Sequence, residues 1–289
     1  MPSFERITWE DTGLQQAFLR YVARVFPGLD FWRWRAFGGW GKDYVAHAVV
    51  EDGEVVANVS AMAMRLVVAG RETPGIQLGA VGCVQERRGR GLVGALMERV
   101  LAEESAQPGL QMLFANEDVL AFYPRFGFRA VEEWVFELER RIEPARPAPR
   151  INLGDRVQRA AWLEACARSQ PVSESFGARG YGPIALWHVC NFASEDVRAV
   201  AEHETYVVAQ QKGEVLQVLD LVAPGPFDLM GILPRLVDRP VTRVRFGFSP
   251  ERWCPEAQPV ERDTKSGLFV RGAVSLPDAP LRFPAFAQT

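Results

Sequence analysis

The sequence predicts a mixed α/β protein: a mostly antiparallel sheet with flanking helices, followed by a second α/β unit. Three observations predict it. The chain has 289 residues, more than one ordinary domain needs. Apolar runs of strand formers alternate with helical periodicities along both halves. Between the halves, Arg141 to Arg150 holds Pro144, Pro147 and Pro149 with few core formers, which is a linker composition. The expected division is residues 1–140, a linker at 141–151, and residues 152–289.

In the first half, Glu10 to Phe26 reads as a helix with Leu14, Phe18, Val22 and Val25 on one face; Pro27 and Gly28 stop it. Tyr44 to Val50 and Glu54 to Val68 read as strands around an Asp52-Gly53 turn. Ile76 to Val84 is small and apolar enough for a central strand, and Gly91 to Glu104 carries apolar residues stepping by four. Leu110 to Ala115 is a strand, Val119 to Tyr123 a short helix, and Ala130 to Leu138 a last strand. The second half reads helix, helix, strand, strand, helix, strand, over Asp155–Arg168, Ile184–Phe192, Tyr206–Gln211, Glu214–Val222, Phe227–Val237 and Thr242–Phe248. That order loosely repeats the first half, with short echoes at Gly53-Glu54-Val55 and Gly213-Glu214-Val215.

Composition narrows function. A net charge of −3 argues against a nucleic-acid binder. No apolar run approaches the ~20 residues that span a bilayer, so no membrane partner is expected. The N-terminus has no apolar signal-peptide core. Cys83, Cys166, Cys190 and Cys254 are dispersed, as are the three histidines. That pattern suits reduced buried thiols in a cytoplasmic protein and gives no zinc spacing, so no metal is expected.

The most informative stretch is Val84-Gln85-Glu86-Arg87-Arg88-Gly89-Arg90-Gly91-Leu92-Val93-Gly94. A buried strand enters a Gly/Arg turn and a helix leaves it. Free N–H groups at a helix N-terminus, glycines permitting close approach, and arginine forks together make a pyrophosphate cradle. The turn lacks the Gly-Lys-Ser/Thr of a Walker loop. Gly89-x-Gly91-x-x-Gly94 has dinucleotide-fold spacing, but it sits late in a run of antiparallel strands with no acidic partner downstream.

Arg88-Gly89-Arg90-Gly91-Leu92-Val93 resembles the acetyl-CoA motif Q/R-x-x-G-x-G/A of the GNAT N-acetyltransferases; Val93 departs from the usual Gly or Ala. A second match follows in order. Asn116 through Phe128 is similar to the family segment N-x-x-A-x-x-x-Y-x-x-x-G-F, with Asn116, Tyr123, Gly127 and Phe128 in register. The resemblance covers residues 1–140. It reaches 152–289 only as a degenerate GNAT-like half, of the kind found in tandem relatives of the enhanced-intracellular-survival acetyltransferases.

The resemblance implies acyl transfer from acetyl-CoA, as co-substrate, to a small-molecule or peptide amine in a ternary complex. It places Arg88, Gly89, Arg90, Gly91, Leu92, Val93, Gly94 and Asn116 at the coenzyme. Backbone N–H groups near Cys83 and Val84 would hold the thioester carbonyl, and Tyr123 would be the general acid. No general base is apparent: the central strand has Gln77 but no carboxylate, and Asp30, Glu54 and Glu117 are weak candidates. The stretch from Phe31 to Trp40, with Trp32 and Trp34, reads as core packing or as an acceptor wall beside Asp30. The apolar run from Leu281 to Thr289 reads as a surface tail or edge strand, although a C-terminal segment enters the active site of the survival-protein relatives. A non-catalytic coenzyme A-binding module on the same fold, and a nucleotide-dependent enzyme using the Gly/Arg turn, are the competing readings.

Overall fold

The computed structural model describes residues 2–104, 109–200 and 204–289. The chain opens with a strand at Ser3–Ile7 (β1), then helices at Thr12–Val25 (α1) and Phe31–Ala36 (α2). Long antiparallel strands follow at Tyr44–Glu51 (β2), Glu54–Val68 (β3) and Arg71–Cys83 (β4). Helix α3 spans Leu92–Glu104. Strands β5 (Leu110–Phe114), β6 (Arg129–Ala130) and β7 (Trp134–Ile142) complete the first half.

The second half has helices at Arg156–Arg168 (α4), Gly182–Phe192 (α5) and Leu229–Ile232 (α6). Its strands are Phe176–Arg179 (β8), Val197–Val200 (β9), Thr205–Lys212 (β10), Val215–Val222 (β11), Val241–Phe246 (β12), Gln258–Arg262 (β13) and Leu268–Arg271 (β14). The expected helix over Phe227–Val237 is short. Pro234 cannot continue an α-helical hydrogen-bond ladder, and the chain tightens into a 3₁₀ turn at Leu233–Arg235.

Two sheets form. The first has eight strands ordered β1-β2-β3-β4-β5-β14-β6, with β8 paired to the far part of β3. The second has six, ordered β13-β7-β12-β11-β10-β9. Pairing is antiparallel except for β4 with β5 and β11 with β12. This is the mixed, mostly antiparallel α/β class that the sequence predicts.

The sheets exchange strands across the Pro/Arg segment. β14, from near the end of the chain, inserts between β5 and β6. The expected last strand of the first half is split: β6 stays, and β7 crosses to pair with β12 and β13. The segment 141–151 is stitched down as well, through Ala145 N–H to Pro234 O and Ala148 N–H to Arg235 O.

Packing follows this exchange. One apolar core joins Phe18, Tyr21 and Leu66 to Phe176, Ile184, Phe269 and Phe283. A second lies on the other sheet around Leu216, Val218, Phe246 and Leu233. All four cysteines are buried and unpaired. The tail is buried too. Leu281, Phe283, Phe286 and Ala287 are core residues, which corrects the reading of Leu281–Thr289 as a surface tail or edge strand. The segment was free to dock because its apolar residues, interrupted by Pro284, could be buried without forming a ladder.

Residues 1–142 expressed alone should therefore lack a cooperative thermal transition, since β5 loses β14 and the core loses Phe176, Phe269 and Phe283. Co-expression with residues 143–289 should restore it. A sharp melt of the isolated fragment in circular dichroism would overturn this account of the core.

Candidate functional site

The site is built on a break in the central sheet. β4 and β5 run parallel from Gly75↔Leu110 to Leu78↔Leu113 and pair no further. Beyond Leu78, β4 continues against β3 alone, while β5 keeps β14 on its other edge from Gln111↔Arg271 to Phe114↔Leu268. On its other side β4 carries a bulge. Ser60 faces Gly79 and Asn58 faces Gly82, so Ala80 and Val81 together oppose the single Val59. Ala80 sits at φ +47°, a left-handed conformation costing a residue with a Cβ about 1 kcal/mol.

Side chains hold this geometry. Asn58 Nδ2 donates to Ala80 O at 2.9 Å and to Ser60 Oγ at 2.9 Å. The Tyr44 hydroxyl donates to Ser60 Oγ at 2.7 Å. All three residues are buried, and desolvation lifts the Tyr44 phenol above its ordinary range. The sequence signal for this network is an Asn-x-Ser pair in the otherwise apolar run Val55 to Met62. Buried polar groups must find partners, and sequence reasoning overlooked the pair.

One side of β4 opens into a cleft of about 420 Å³. It is lined by Val81, Gly82 and Cys83, the turn from Arg87 to Gly94, and Val119, Phe122 and Tyr123. The floor is apolar and the rim is basic. Arg87 is committed to Glu51 at 2.6 Å. Arg88 and Arg90 are exposed and have no carboxylate partner among the described residues. Arg88 instead donates to Cys83 O at 3.3 Å. Gly91, at φ +73°, turns the chain into α3, and a Cβ there would meet nothing within 4 Å. The space above it is open toward the first-turn N–H groups of α3, where a helix favours an anion. Leu96, Met97, Val100 and Leu101 anchor α3 in the core.

Tyr123 lines this cleft while 5% exposed. Its ring packs on Phe122, Phe128 and Phe269. Burial pushes the phenol up to about 12, so it stays protonated at neutral pH. Gly127, at φ +81°, closes the 3₁₀ turn Tyr123–Phe126 that presents it.

The structure gathers some expected residues and separates others. Cys83, Arg88, Gly89, Arg90, Gly91, Leu92, Val93, Gly94 and Tyr123 share the cleft. Val84 does not; it is buried and its N–H donates to Val56 O at 2.9 Å. Cys83 is in register with Ala57, so the irregular backbone lies at Ala80–Val81 rather than at Cys83–Val84. Asn116 is exposed, outside the cleft lining, and starts the turn Glu117–Val119. Asp30 caps α2 by accepting from Arg33 N–H at 2.8 Å, and Trp32 is 47% exposed. Of the three acceptor-side candidates, only Trp34 lines a cavity at β4. Glu54 pairs with Arg20 at 2.8 Å, away from the bulge.

That second cavity begins where the cleft ends. Gly79 and Ala80 line it, with Phe31, Trp34, Tyr44, Met62, Ile184, Trp187, Gln288 and Thr289. The tail is held there by Gln77, which is wholly buried. Gln77 donates to Ala287 O at 2.8 Å and accepts from Thr289 N–H at 2.6 Å. His188 donates Nε2–H to Gln288 O at 2.7 Å; the carbonyl can only accept, which assigns the tautomer. A Cβ at Gly79 would stand 2.6 Å from the Thr289 hydroxyl, so the tail's approach to β4 requires glycine there.

Residues 15–131 match the family model of the acetyltransferase (GNAT) domain. Solved structures share the architecture of nearly the whole chain. A probable N-acyltransferase from Enterococcus faecalis V583 is 14% identical, covers 94% of this chain and 72% of its own, and has a TM-score of 0.61. Eis1 from Mycobacterium abscessus is 19% identical over 94% of this chain and 73% of its own, with a TM-score of 0.58. A putative acetyltransferase from Pyrococcus horikoshii is 12% identical over 100% and 96%, at 0.53. At such identities the likeness is one of fold. No curated protein matches the chain. The sequence match, the splayed β4–β5 pair and the Gly/Arg turn at α3 agree, and residues 15–131 are similar to the acetyltransferase (GNAT) domain.

Proposed function

We propose that the chain transfers an acetyl or other short acyl group from acyl-CoA to an amine in a ternary complex. The observation that carries this is the convergence of a basic turn whose Arg88 and Arg90 have no carboxylate partner among the described residues, a gap beside β4 and a buried tyrosine on one cleft. The pyrophosphate would lie on the N–H groups of Arg88 to Gly94, with Arg88 and Arg90 at the rim. The pantetheine arm would follow Val81–Cys83 across the apolar floor, in the space β5 vacates. The thioester carbonyl would meet the irregular backbone at Ala80–Val81, where an N–H can stabilise a developing oxyanion.

The amine would enter from the adjoining cavity at Gly79–Ala80. Its nitrogen attacks the thioester carbon, a C–N bond forms, and the C–S bond breaks. Tyr123 donates its proton to the departing thiolate and is replenished by the proton released from nitrogen. Taken alone that transfer is uphill, because a thiol near pKa 8.5 is a stronger acid than a phenol at about 12; it is completed by the proton released from nitrogen, which returns to the phenolate. The fold relatives described as acetyltransferases support the reading, as does the family match.

Gly91→Asp places a carboxylate in the open space above the turn, where the pyrophosphate would sit. Coenzyme A affinity should fall by about tenfold or more, measured by calorimetry on a folded variant. Unchanged affinity would remove the turn from the site.

Tyr123→Phe keeps the ring contacts and removes the proton. With chemistry shown to be rate-limiting, kcat should fall by about 10²–10⁴-fold while acetyl-CoA affinity stays nearly constant. A kcat within about twofold of the parent would instead make Tyr123 a packing residue.

A further inference from the structure

Asn58 lines neither the coenzyme cleft nor the smaller cavity, yet it is wholly buried in β3 between them. Both hydrogens of its amide nitrogen are engaged, one by Ser60 Oγ and one by Ala80 O, each at 2.9 Å. A backbone carbonyl can only accept, so it is the nitrogen of the amide that faces Ala80. The other amide atom, Oδ1, is buried without a partner among the described residues.

A buried acceptor left unmatched destabilises a fold, and so does an alanine at φ +47°. Both costs fall on the two ends of one hydrogen bond. Such features gather where a protein holds a geometry for function.

The peptide itself shows which geometry is held. The Ala80–Val81 bond is trans, and a trans peptide directs its C=O and its N–H in opposite directions. By fixing Ala80 O, Asn58 turns the Val81 N–H away from its own side chain. Val81 is the residue of that peptide that lines the coenzyme cleft. Released from Asn58, Ala80 would relax toward negative φ, and the peptide plane would rotate with it. Tyr44 braces the arrangement by donating to Ser60 Oγ at 2.7 Å.

Resting on the acyltransferase reading above, we infer that Asn58 is a positioning residue for acyl transfer: through Ala80 O it aims the Val81 N–H at the thioester oxygen, without touching coenzyme or acceptor itself.

The test is the infrared spectrum of acetyl-CoA, labelled with ¹³C at the thioester carbonyl, bound to the full chain. A hydrogen bond to that oxygen lowers its stretching frequency relative to free acetyl-CoA. The lowering should be present in the parent and lost in Asn58→Leu, which has similar size and no donor, with acetyl-CoA Kd within about threefold. Ala80→Gly added to Asn58→Leu should restore part of it, because glycine adopts positive φ without strain. Packing lost at residue 58 would not be recovered by glycine at residue 80. With the fastest acceptor among benzylamine, spermidine and kanamycin, kcat should fall by about ten- to a hundredfold in Asn58→Leu and recover in part in the double variant, with KM for acetyl-CoA nearly constant.

A full carbonyl shift in Asn58→Leu, or no recovery in the double variant, overturns the inference and leaves acyl transfer standing. If Asn58→Leu does not fold, the parent alone decides. Its Val81 amide proton resonance should move with acetyl-CoA and not with S-ethyl-coenzyme A, which has no carbonyl; equal movement overturns the inference. If acetyl-CoA shows the Asn58-dependent shift but no amine turns over, the transfer reading fails while the positioning role stands.

Discussion

A central strand that loses its neighbour partway along its length is the constraint on which the site depends. β4 is paired on both sides up to Leu78 and on one side afterwards. Backbone amides left without a ladder are costly unless something occupies the gap. Here two groups of residues crowd it: Asn58, clamped onto Ala80 O, and the tail segment clamped by Gln77. Asn58 keeps Ala80 in a conformation an alanine would ordinarily avoid. The bulge is therefore over-determined by buried hydrogen bonds, and successive residues of one strand face two cavities. Gly79 and Ala80 line the smaller cavity, and Val81 to Cys83 line the larger cleft.

The strand exchange makes the second half part of the same object. β14 fills the place between β5 and β6, while β7 takes the corresponding place beside β12. Each sheet thus contains a parallel pair, β4–β5 or β11–β12, flanked by an antiparallel strand borrowed from the other half. Between β11 and β12 the second half has no Gly/Arg turn; its crossover is the short α6 and the turn through Pro234. Its contribution at the first sheet is α5 and the tail.

Much of the coenzyme side was legible because its chemistry is local in sequence. Eight consecutive residues, Arg87 to Gly94, supply the turn, and Tyr123 follows the next strand at a fixed spacing. The acceptor side was not legible in the same way. Trp34, Tyr44, Gly79, Ile184, Trp187 and Thr289 come from six separated positions, brought together by long-range contacts that no periodicity encodes. Trp32 and Trp34 look equivalent in sequence, but a two-residue step on a helix turns one to solvent and the other to the core. β14 and β8 were missed because four-residue strands are too short to show a period. Val84 was named from the resemblance alone; in the structure its N–H is taken by Val56 O.

The division of labour between the two sides of β4 follows from dielectric. The coenzyme's phosphates are highly charged and remain near water, so exposed Arg88 and Arg90 at a helix N-terminus suit them without burying a cation. The reacting nitrogen has the opposite need, since it must be neutral when it attacks. A buried carboxylate could take its proton, but such a group would first have to be desolvated, which raises its own pKa and demands further partners. Asp220 shows that tendency elsewhere in the chain: it is fully buried, bonded to Tyr181 at 2.7 Å, and pushed up to about 7.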